Sequence, residues 1–157
     1  MWWLHVAKIR TADARFDHVY RDQDFTRGSD AFELAGPVTL GFDIHKDNER
    51  FHLVGRVQAT LSLPCSRCLE GFRLPVDAPF DLRYEPRQTP SQEREREVRA
   101  QDFSAASYDD QQIDLEQLMF EQFHLAVPMK PLCAETCRGL CPQCGANLNR
   151  ETCGCGR

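Results

Sequence analysis

Apolar side chains recur at every second position along two long stretches of this chain, and this pattern constrains the fold most. The first stretch runs from Val38 to Leu63 and is interrupted by the polar cluster at 47–50, whereas the second runs from Phe72 to Tyr84. Successive side chains of a β-strand point to opposite faces, so a period of two predicts strands with one apolar and one polar face. Such strands are typical of antiparallel sheets that cover a core on one side.

Pro75 and Pro79 lie at polar positions of the second alternating stretch. They share the same parity, so the N–H groups that they lack fall on one side of the strand. Proline is tolerated there only where no neighbouring strand needs those N–H groups. We therefore predict that residues 71–85 form an edge strand, or a strand whose outer edge is blocked.

Residues 113–127 carry the pattern of one amphipathic helix. Asp114 is a favourable N-cap, and Gln117 follows it at the spacing of a capping box. Pro128 ends the helix. An apolar stripe at helical spacing predicts that the helix packs on the buried face of the sheet; it consists of Leu115, Leu118, Met119, Phe120, Phe123, Ala126 and Val127.

Strands followed by a single helix predict the α+β class. We expect an antiparallel β-sheet, as a sandwich or a partly open barrel, with one C-terminal helix and a zinc-ribbon-like tail. This divides the chain into a β domain at 1–127, which includes the helix and a charged linker at 86–102, and a cysteine-rich tail at 128–157. Residues 1–35 are less regular, and we predict only short strands around 4–9 and 15–20.

The chain contains 8 cysteines, and their clustering indicates either disulfides or metal. The N-terminus lacks the basic start and apolar run of a signal peptide, so we expect a cytoplasmic protein. In that compartment, paired cysteines are more often metal ligands than disulfides. No apolar run is long enough for a membrane helix, and we expect no membrane partner.

Cys141-Pro142-Gln143-Cys144-Gly145 is the most specific cysteine motif. Two thiolates at this spacing supply half of a tetrahedral zinc site, and the glycine allows backbone N–H groups to approach the sulfur atoms. Our first choice for the complete site adds Cys153 and Cys155. Spacing alone leaves two alternatives open, in which the other half comes from Cys133 and Cys137 or from Cys65 and Cys68.

Eight cysteines also allow two four-cysteine sites, the second of which would join Cys65 and Cys68 to Cys133 and Cys137. Cys65 and Cys68 can alternatively be interpreted as a redox pair, because Arg67 favours a thiolate. A thioredoxin-like pair begins a helix, however, whereas both flanks of this pair are predicted strands. The metal interpretation is therefore favoured.

The zinc predicted in the tail is structural. A catalytic zinc keeps an open position and usually has histidine or carboxylate ligands, whereas an all-thiolate site is saturated and no histidine lies in the tail. The chain contains no P-loop, GxSxG or HExxH motif. We therefore expect no enzymatic activity and no small-molecule substrate.

The net charge of −5 is concentrated in one part of the chain. Residues 86–127 contain 4 basic and 9 acidic side chains, so the remainder is neutral overall. Binding to bare nucleic acid through phosphates requires a basic surface. The charge therefore predicts weak binding to bare RNA, and it allows an alternative role in which a zinc-ribbon adaptor binds a basic protein through its acidic segment.

Three motifs resemble the YceD family, the large-ribosomal-RNA-subunit accumulation proteins. Residues 63–70 contain Cys65-Ser66-Arg67-Cys68-Leu69, similar to the family's CxRCL motif. The helix and its exit at 127–133 are similar to the family's LPxKPLC segment, and the tail at 137–155 resembles the cysteine-bearing branch. The resemblance covers roughly residues 35–155.

The resemblance implies a non-enzymatic bacterial cytoplasmic factor for ribosome biogenesis. Such a factor acts in the synthesis, processing or accumulation of large-subunit ribosomal RNA. The expected partner is that RNA or a precursor ribonucleoprotein, together with ribosomal proteins. Members of the family differ in whether they carry the tail cysteines, which implies that zinc shapes the tail and that the sheet domain is the shared part.

Overall fold

The structure, a computed structural model, describes residues 2–87 and 105–155. Of the predicted charged linker at 86–102, only the first two residues lie within the described part of the chain. In chain order the elements are β1 (Trp3–His5), β2 (Asp13–Tyr20), β3 (Glu33–Leu34), β4 (Val38–Asp47), β5 (Arg50–Pro64), β6 (Gly71–Pro86), β7 (Ala105–Tyr108), β8 (Gln112–Asp114) and α1 (Leu115–Ala126). No helix in these described ranges is long and apolar enough to cross a membrane.

Six of the strands form one open sheet in the order β2-β4-β5-β6-β7, with β3 paired to the far end of β5. The first strand of the chain pairs instead with β8 in a separate two-stranded ribbon. Both long alternating stretches are strands, and β4, β5 and β6 follow one another as antiparallel neighbours. The mostly β architecture with one C-terminal helix agrees with the predicted fold class.

One pairing differs from the predicted antiparallel pattern, because β7 runs parallel to the end of β6. A parallel pair requires a long connection rather than a tight hairpin. The segment between these two strands, residues 87–104, is long enough to return the chain to the same end of the sheet. The strand β2 has 8 residues, Asp13–Tyr20, and is therefore also longer than the short strand predicted around 15–20.

The predicted helix is present, and it covers the apolar face of the sheet. Leu118, Met119 and Phe123 are fully buried and belong to the same core as the inward side chains of β4, β5 and β6. The Asp114 carboxylate accepts the N–H of Gln117 at 2.9 Å, as an N-cap should. The side chain of Gln117 donates to Glu121 on the next helical turn rather than completing a capping box.

Glu116 is a fully buried carboxylate on the first turn of α1. It accepts the backbone N–H groups of Thr26 and Arg27 at 2.6 and 2.7 Å, and the Thr26 hydroxyl at 3.0 Å. Burial raises the pKa of this carboxyl group, but the hydrogen bonds from Arg27 and Thr26 outweigh burial, so that the pKa is lowered overall. Glu116 therefore fastens the loop before β3 to the helix.

We expect Glu116→Gln to lower the free energy of unfolding by about 2–4 kcal/mol, because it weakens charged hydrogen bonds in a buried site. Because the folded pKa is lowered, this contribution is present above the usual carboxyl pKa and is lost as the pH falls through the folded value. Urea unfolding at neutral and acidic pH measures both effects. The exposed Glu121→Gln should change stability by less than about 0.5 kcal/mol; equal effects of the two variants would contradict the assignment.

Candidate metal centres

The eight thiols assemble into two groups of four, and within each group all sulfur atoms lie within 4.8 Å of one another. We call Cys65, Cys68, Cys133 and Cys137 the hairpin group, and Cys141, Cys144, Cys153 and Cys155 the terminal group. The structure thus places Cys141 and Cys144 beside our first-choice partners. It places Cys65 and Cys68 beside the other two tail cysteines, which is the arrangement considered for a second site.

Sulfur separations in the hairpin group fit a tetrahedral metal site. Cys65 Sγ lies 3.8 Å from Cys137 Sγ, and Cys68 Sγ lies 3.7 Å from Cys133 Sγ. Four thiolates about 2.3 Å from one Zn²⁺ are about 3.8 Å apart in a regular tetrahedron. A disulfide would require a separation of about 2.05 Å. The four donors therefore have the spacing and the soft thiolate chemistry that a zinc ion needs.

The hairpin group is built on the turn between β5 and β6. Cys65 follows the last residue of β5, and its N–H donates to Glu70 across the turn at 2.9 Å. Leu69 adopts a left-handed backbone with φ of 62°, and its N–H donates to the Cys65 carbonyl. Hydrogen bonds from backbone N–H groups, that of Cys68 first and those of Cys133 and Arg67 after it, lower the pKa of the Cys65 thiol to about 6. This turn therefore favours a thiolate, the form that binds metal, at Cys65, whereas the pKa of Cys68 is raised.

The same local design recurs at the terminal group. Gly145 has a φ of 75°, and its N–H donates to the Cys141 carbonyl at 2.9 Å. Hydrogen bonds from the N–H of Cys144 and, after it, from the N–H of Gln143 and the Cys153 side chain lower the pKa of Cys141 to about 6. Glycine accepts the left-handed conformation without strain. The sequence motif predicts a different reason for Gly145, room for N–H groups beside sulfur, but a Cβ at this position would meet no atom within 4 Å. The hairpin turn uses Leu69 at the corresponding position, which sequence reasoning missed because a leucine rarely adopts this conformation.

The tail docks on the hairpin turn through backbone contacts around the hairpin group. Ser66 donates its N–H to Pro131 at 2.8 Å, and Leu140 donates to the Arg67 carbonyl at 3.2 Å. The Arg67 guanidinium donates to the Cys137 carbonyl at 2.9 Å. Arg67 thus contacts the tail in two ways: its own carbonyl group accepts from Leu140, and its guanidinium group donates to the Cys137 carbonyl. Because Cys65 and Cys68 lie between two strands and against two further thiols, the arrangement does not resemble a redox pair at a helix start.

Asn149 links the two groups, and the cysteine spacing did not indicate it. Its side-chain amide donates to Cys137 Sγ at 3.3 Å, and its carbonyl oxygen accepts the Arg138 N–H at 2.7 Å. The hydrogen bond from Asn149 is the largest cause of the lowered pKa of Cys137. Asn149 lies within the loop that the terminal group closes, so folding of that loop positions a donor for the hairpin group.

The two groups differ in burial. Cys65, Cys68 and Cys137 are buried in a small apolar cluster with Phe72, Leu132 and Leu140 packed against it, and this cluster is separate from the main core. In the terminal group, only Cys141 is buried, whereas Cys144 and Cys155 are exposed. The hairpin group is therefore the more protected of the two.

The chain is similar to known proteins over most of its length. A family model described as large ribosomal RNA subunit accumulation protein YceD matches residues 53–157. The chain is 27% identical over 142 residues to a chloroplastic "Large ribosomal RNA subunit accumulation protein YCED homolog 1" of Arabidopsis thaliana, covering 77% of this chain and 44% of the relative.

Two other relatives show similar levels of identity. The corresponding Zea mays homologue is 29% identical over 142 residues, covering 76% of this chain and 48% of the relative. An uncharacterized protein of Mycobacterium tuberculosis is 30% identical over 123 residues, covering 77% of this chain and 56% of the relative. The chain thus spans about half the length of these curated relatives. No solved structure matches significantly.

Proposed function

This chain belongs to the YceD family, and from that premise we propose that it is a non-enzymatic ribosome-biogenesis factor. It promotes the synthesis, processing or accumulation of large-subunit ribosomal RNA in the bacterial cytoplasm. The family match over residues 53–157 is the observation that carries this proposal. The plant relatives support it, since both are named for large ribosomal RNA subunit accumulation.

The proposed role of metal is structural. We propose that the hairpin group and the terminal group each bind one Zn²⁺ through four thiolates. A zinc ion with four thiolate ligands has no open position for substrate or water, so it supplies cross-linking rather than catalysis. The hairpin group then fixes the tail to the end of the sheet, and the terminal group closes the last loop of the chain.

We propose a precursor ribonucleoprotein as the partner, rather than bare RNA. Each Zn²⁺ with four thiolates carries a net charge of about −2, which adds to an acidic chain. Several exposed arginines of the sheet are already paired with carboxylates, as Arg50 is with Glu85 at 3.1 Å and Arg56 with Asp77 at 3.2 Å. RNA phosphates would have to compete with these pairs, so basic ribosomal proteins on an assembling particle provide the better surface.

Deletion of the gene in its host tests the proposal. We expect the ratio of large-subunit to small-subunit ribosomal RNA to fall and unprocessed large-subunit precursors to accumulate, and we expect the wild-type gene to restore both. Purified protein should bind precursor particles more tightly than protein-free RNA at the same salt concentration. An unchanged ribosomal RNA ratio in the deletion strain would refute the proposed function.

The adaptor role remains a second candidate, because residues 86–127 hold an excess of acidic side chains. Within the described residues, however, several of these acids are engaged inside the chain. Asp109 pairs with Arg87 at 3.0 Å, Asp114 pairs with Arg27 at 2.8 Å, and Glu116 is buried. Replacing Glu93, Glu95 and Glu97 together by Gln separates the two roles: an adaptor would lose its basic partner while ribosomal RNA ratios stay normal.

A further inference from the structure

The two outermost long strands of the sheet, β2 and β6, have different outer edges; the short strand β7 pairs only with Arg83–Pro86 at one end of β6. In β6, the hydrogen bond from Cys65 N–H to Glu70 continues the ladder with β5, so even-numbered residues of β6 face β5 and odd-numbered ones face outward. Pro75 and Pro79 therefore lie at outward positions, where they remove the N–H donors that another strand would need. This edge is blocked over much of its length.

The outer edge of β2 has no such block. The Lys46 N–H donates to the Ala12 carbonyl at 2.7 Å, which places the even-numbered residues of β2 in hydrogen-bonded pairs with β4. The backbone groups of Arg15, Asp17 and Val19 therefore point away from the sheet. In the part of the chain that the structure describes, no other strand pairs with this edge. Neither a proline nor a lysine occurs between Asp13 and Tyr20.

We propose that β2 pairs with β2 of a second copy of this chain, antiparallel and about a two-fold axis at Phe16. Arg15 then lies opposite Asp17 of the second copy, and Asp17 lies opposite its Arg15. Residues 13, 15, 17 and 19 of the two copies face one another, and these are the residues whose backbone groups point outward. The two sheets thus become one continuous sheet across the dimer.

Charge complementarity selects this register over its neighbours. Outward backbone groups meet only if odd-numbered residues pair with odd-numbered residues. An axis at Asp17 satisfies that condition but places two aspartates directly opposite each other, and an axis at Arg15 does the same with two arginines. Like charges directly opposite one another across strands are destabilising, whereas opposite charges stabilise the pair. An axis at Ala14 would also produce opposite charges twice, but it would pair only residues 13–15 of β2, whereas the axis at Phe16 pairs residues 13–19.

The side chains at this edge are available for such contacts. The Arg15 and Asp17 side chains are 65% and 61% exposed, and their existing ion pair lies on the outer face of the sheet. On the inner face, Phe16 is only partly buried and stacks on Phe42 with ring centroids 5.0 Å apart. A second copy would bring its own Phe16 against the remaining surface of this ring, which extends the apolar face across the axis.

Charge reversal tests both the surface and the register. In Arg15→Asp, two aspartates would face each other at both symmetric positions, and in Asp17→Arg two arginines would. We expect each variant to weaken dimerisation of the full-length, metal-loaded protein by on the order of tenfold or more, measured by sedimentation velocity over a concentration series. A 1:1 mixture of the two variants should restore dimers, because every facing pair is again oppositely charged.

Arg73→Asp is the matched control, because Arg73 is an exposed arginine on the proline-bearing strand β6, at the opposite side of the sheet from β2. It should leave the dimer dissociation constant unchanged, and circular dichroism should show that all variants are folded. A wild-type protein that stays monomeric at about 100 µM would overturn the proposal. So would dimers that are insensitive to both reversals, or variants whose mixture is no more dimeric than each alone.

Discussion

If each group binds one Zn²⁺ as proposed, Cys65→Ser should reduce the bound zinc from two ions per chain to one and release the tail from the end of the sheet. Cys65 is completely buried, and its sulfur lies 3.8 Å from that of Cys137, so the hairpin group would lose a ligand that no nearby water can easily replace. Zinc contributes about 10–16 kcal/mol to the folding of small four-ligand sites, which exceeds what the few backbone contacts of the tail can supply.

Metal content by native mass spectrometry measures the first effect, and amide hydrogen exchange measures the second. The N–H groups of Ser66 and Leu140 report on docking, because they bond to Pro131 and Arg67 across the junction. Both should exchange much faster in Cys65→Ser. The matched variant Cys155→Ser removes an exposed ligand of the terminal group; it should also lose one ion but retain protection at Ser66.

Two results would contradict this account. If Cys65→Ser retains two zinc ions, the hairpin group is not a four-thiolate site. If Cys155→Ser abolishes protection at Ser66 as completely as Cys65→Ser does, the two groups do not have the separate roles that we assign to them. Partial loss of protection at Leu140 in Cys155→Ser would instead agree with the contact between Asn149 and Cys137.

Gly55→Ala should prevent stable folding of the whole sheet domain. Gly55 lies on the inner side of β5, directly opposite Phe42 in the neighbouring strand. A methyl group at this position would clash with the Gly41 carbonyl and the Phe42 side chain, and would lie 2.6 Å from the Phe42 Cα. Two of these atoms belong to the backbone of a paired strand. They cannot move aside without breaking the β4–β5 ladder, so we expect a loss of about 4 kcal/mol or more.

Two other glycines provide a graded control for this prediction. Gly71→Ala at the start of β6 meets no atom within 4 Å, so it should cost less than about 1 kcal/mol. Gly41→Ala meets mainly the Asp17 carboxylate at 2.7 Å, which is the end of a flexible side chain, and should have an intermediate effect. Urea unfolding of the three variants gives the order. A Gly55→Ala protein as stable as Gly71→Ala would show that β4 and β5 are not as closely packed as described.

Local patterns predicted most of the regular structure. The alternating stretches form β4, β5 and β6, because apolar side chains at every second position all lie on one face when the backbone is a β-strand. The helix begins after Asp114 and ends before Pro128 for reasons contained in a few adjacent residues. By contrast, neither the parallel pairing of β7 nor the ribbon of β1 and β8 could be predicted, because both depend on where distant segments meet.

The cysteines show the same division. Sequence spacing identified Cys65 with Cys68, and Cys141 with Cys144, as local pairs, because each pair is formed within one turn of the chain. It left open which pairs share a group, since sulfur atoms separated by 65 residues meet only after β6 and α1 have returned the chain to the hairpin. Metal binding by either group remains a prediction that the experiments above test.

The sequence by itself determined the long strands β4, β5 and β6, the helix, the two cysteine turns and the acidic balance, because each of these arises from neighbouring residues. Only the tertiary structure decided that Leu69 takes the conformation expected of a glycine, that Asn149 contacts Cys137 and that no strand of the described residues covers the outer edge of β2. The last two features depend on where separate segments of the chain meet, whereas the Leu69 conformation belongs to the turn that joins β5 to β6. The physical reason is that periodicity and spacing indicate on which face of an element a side chain lies, but not which residues of other segments it contacts.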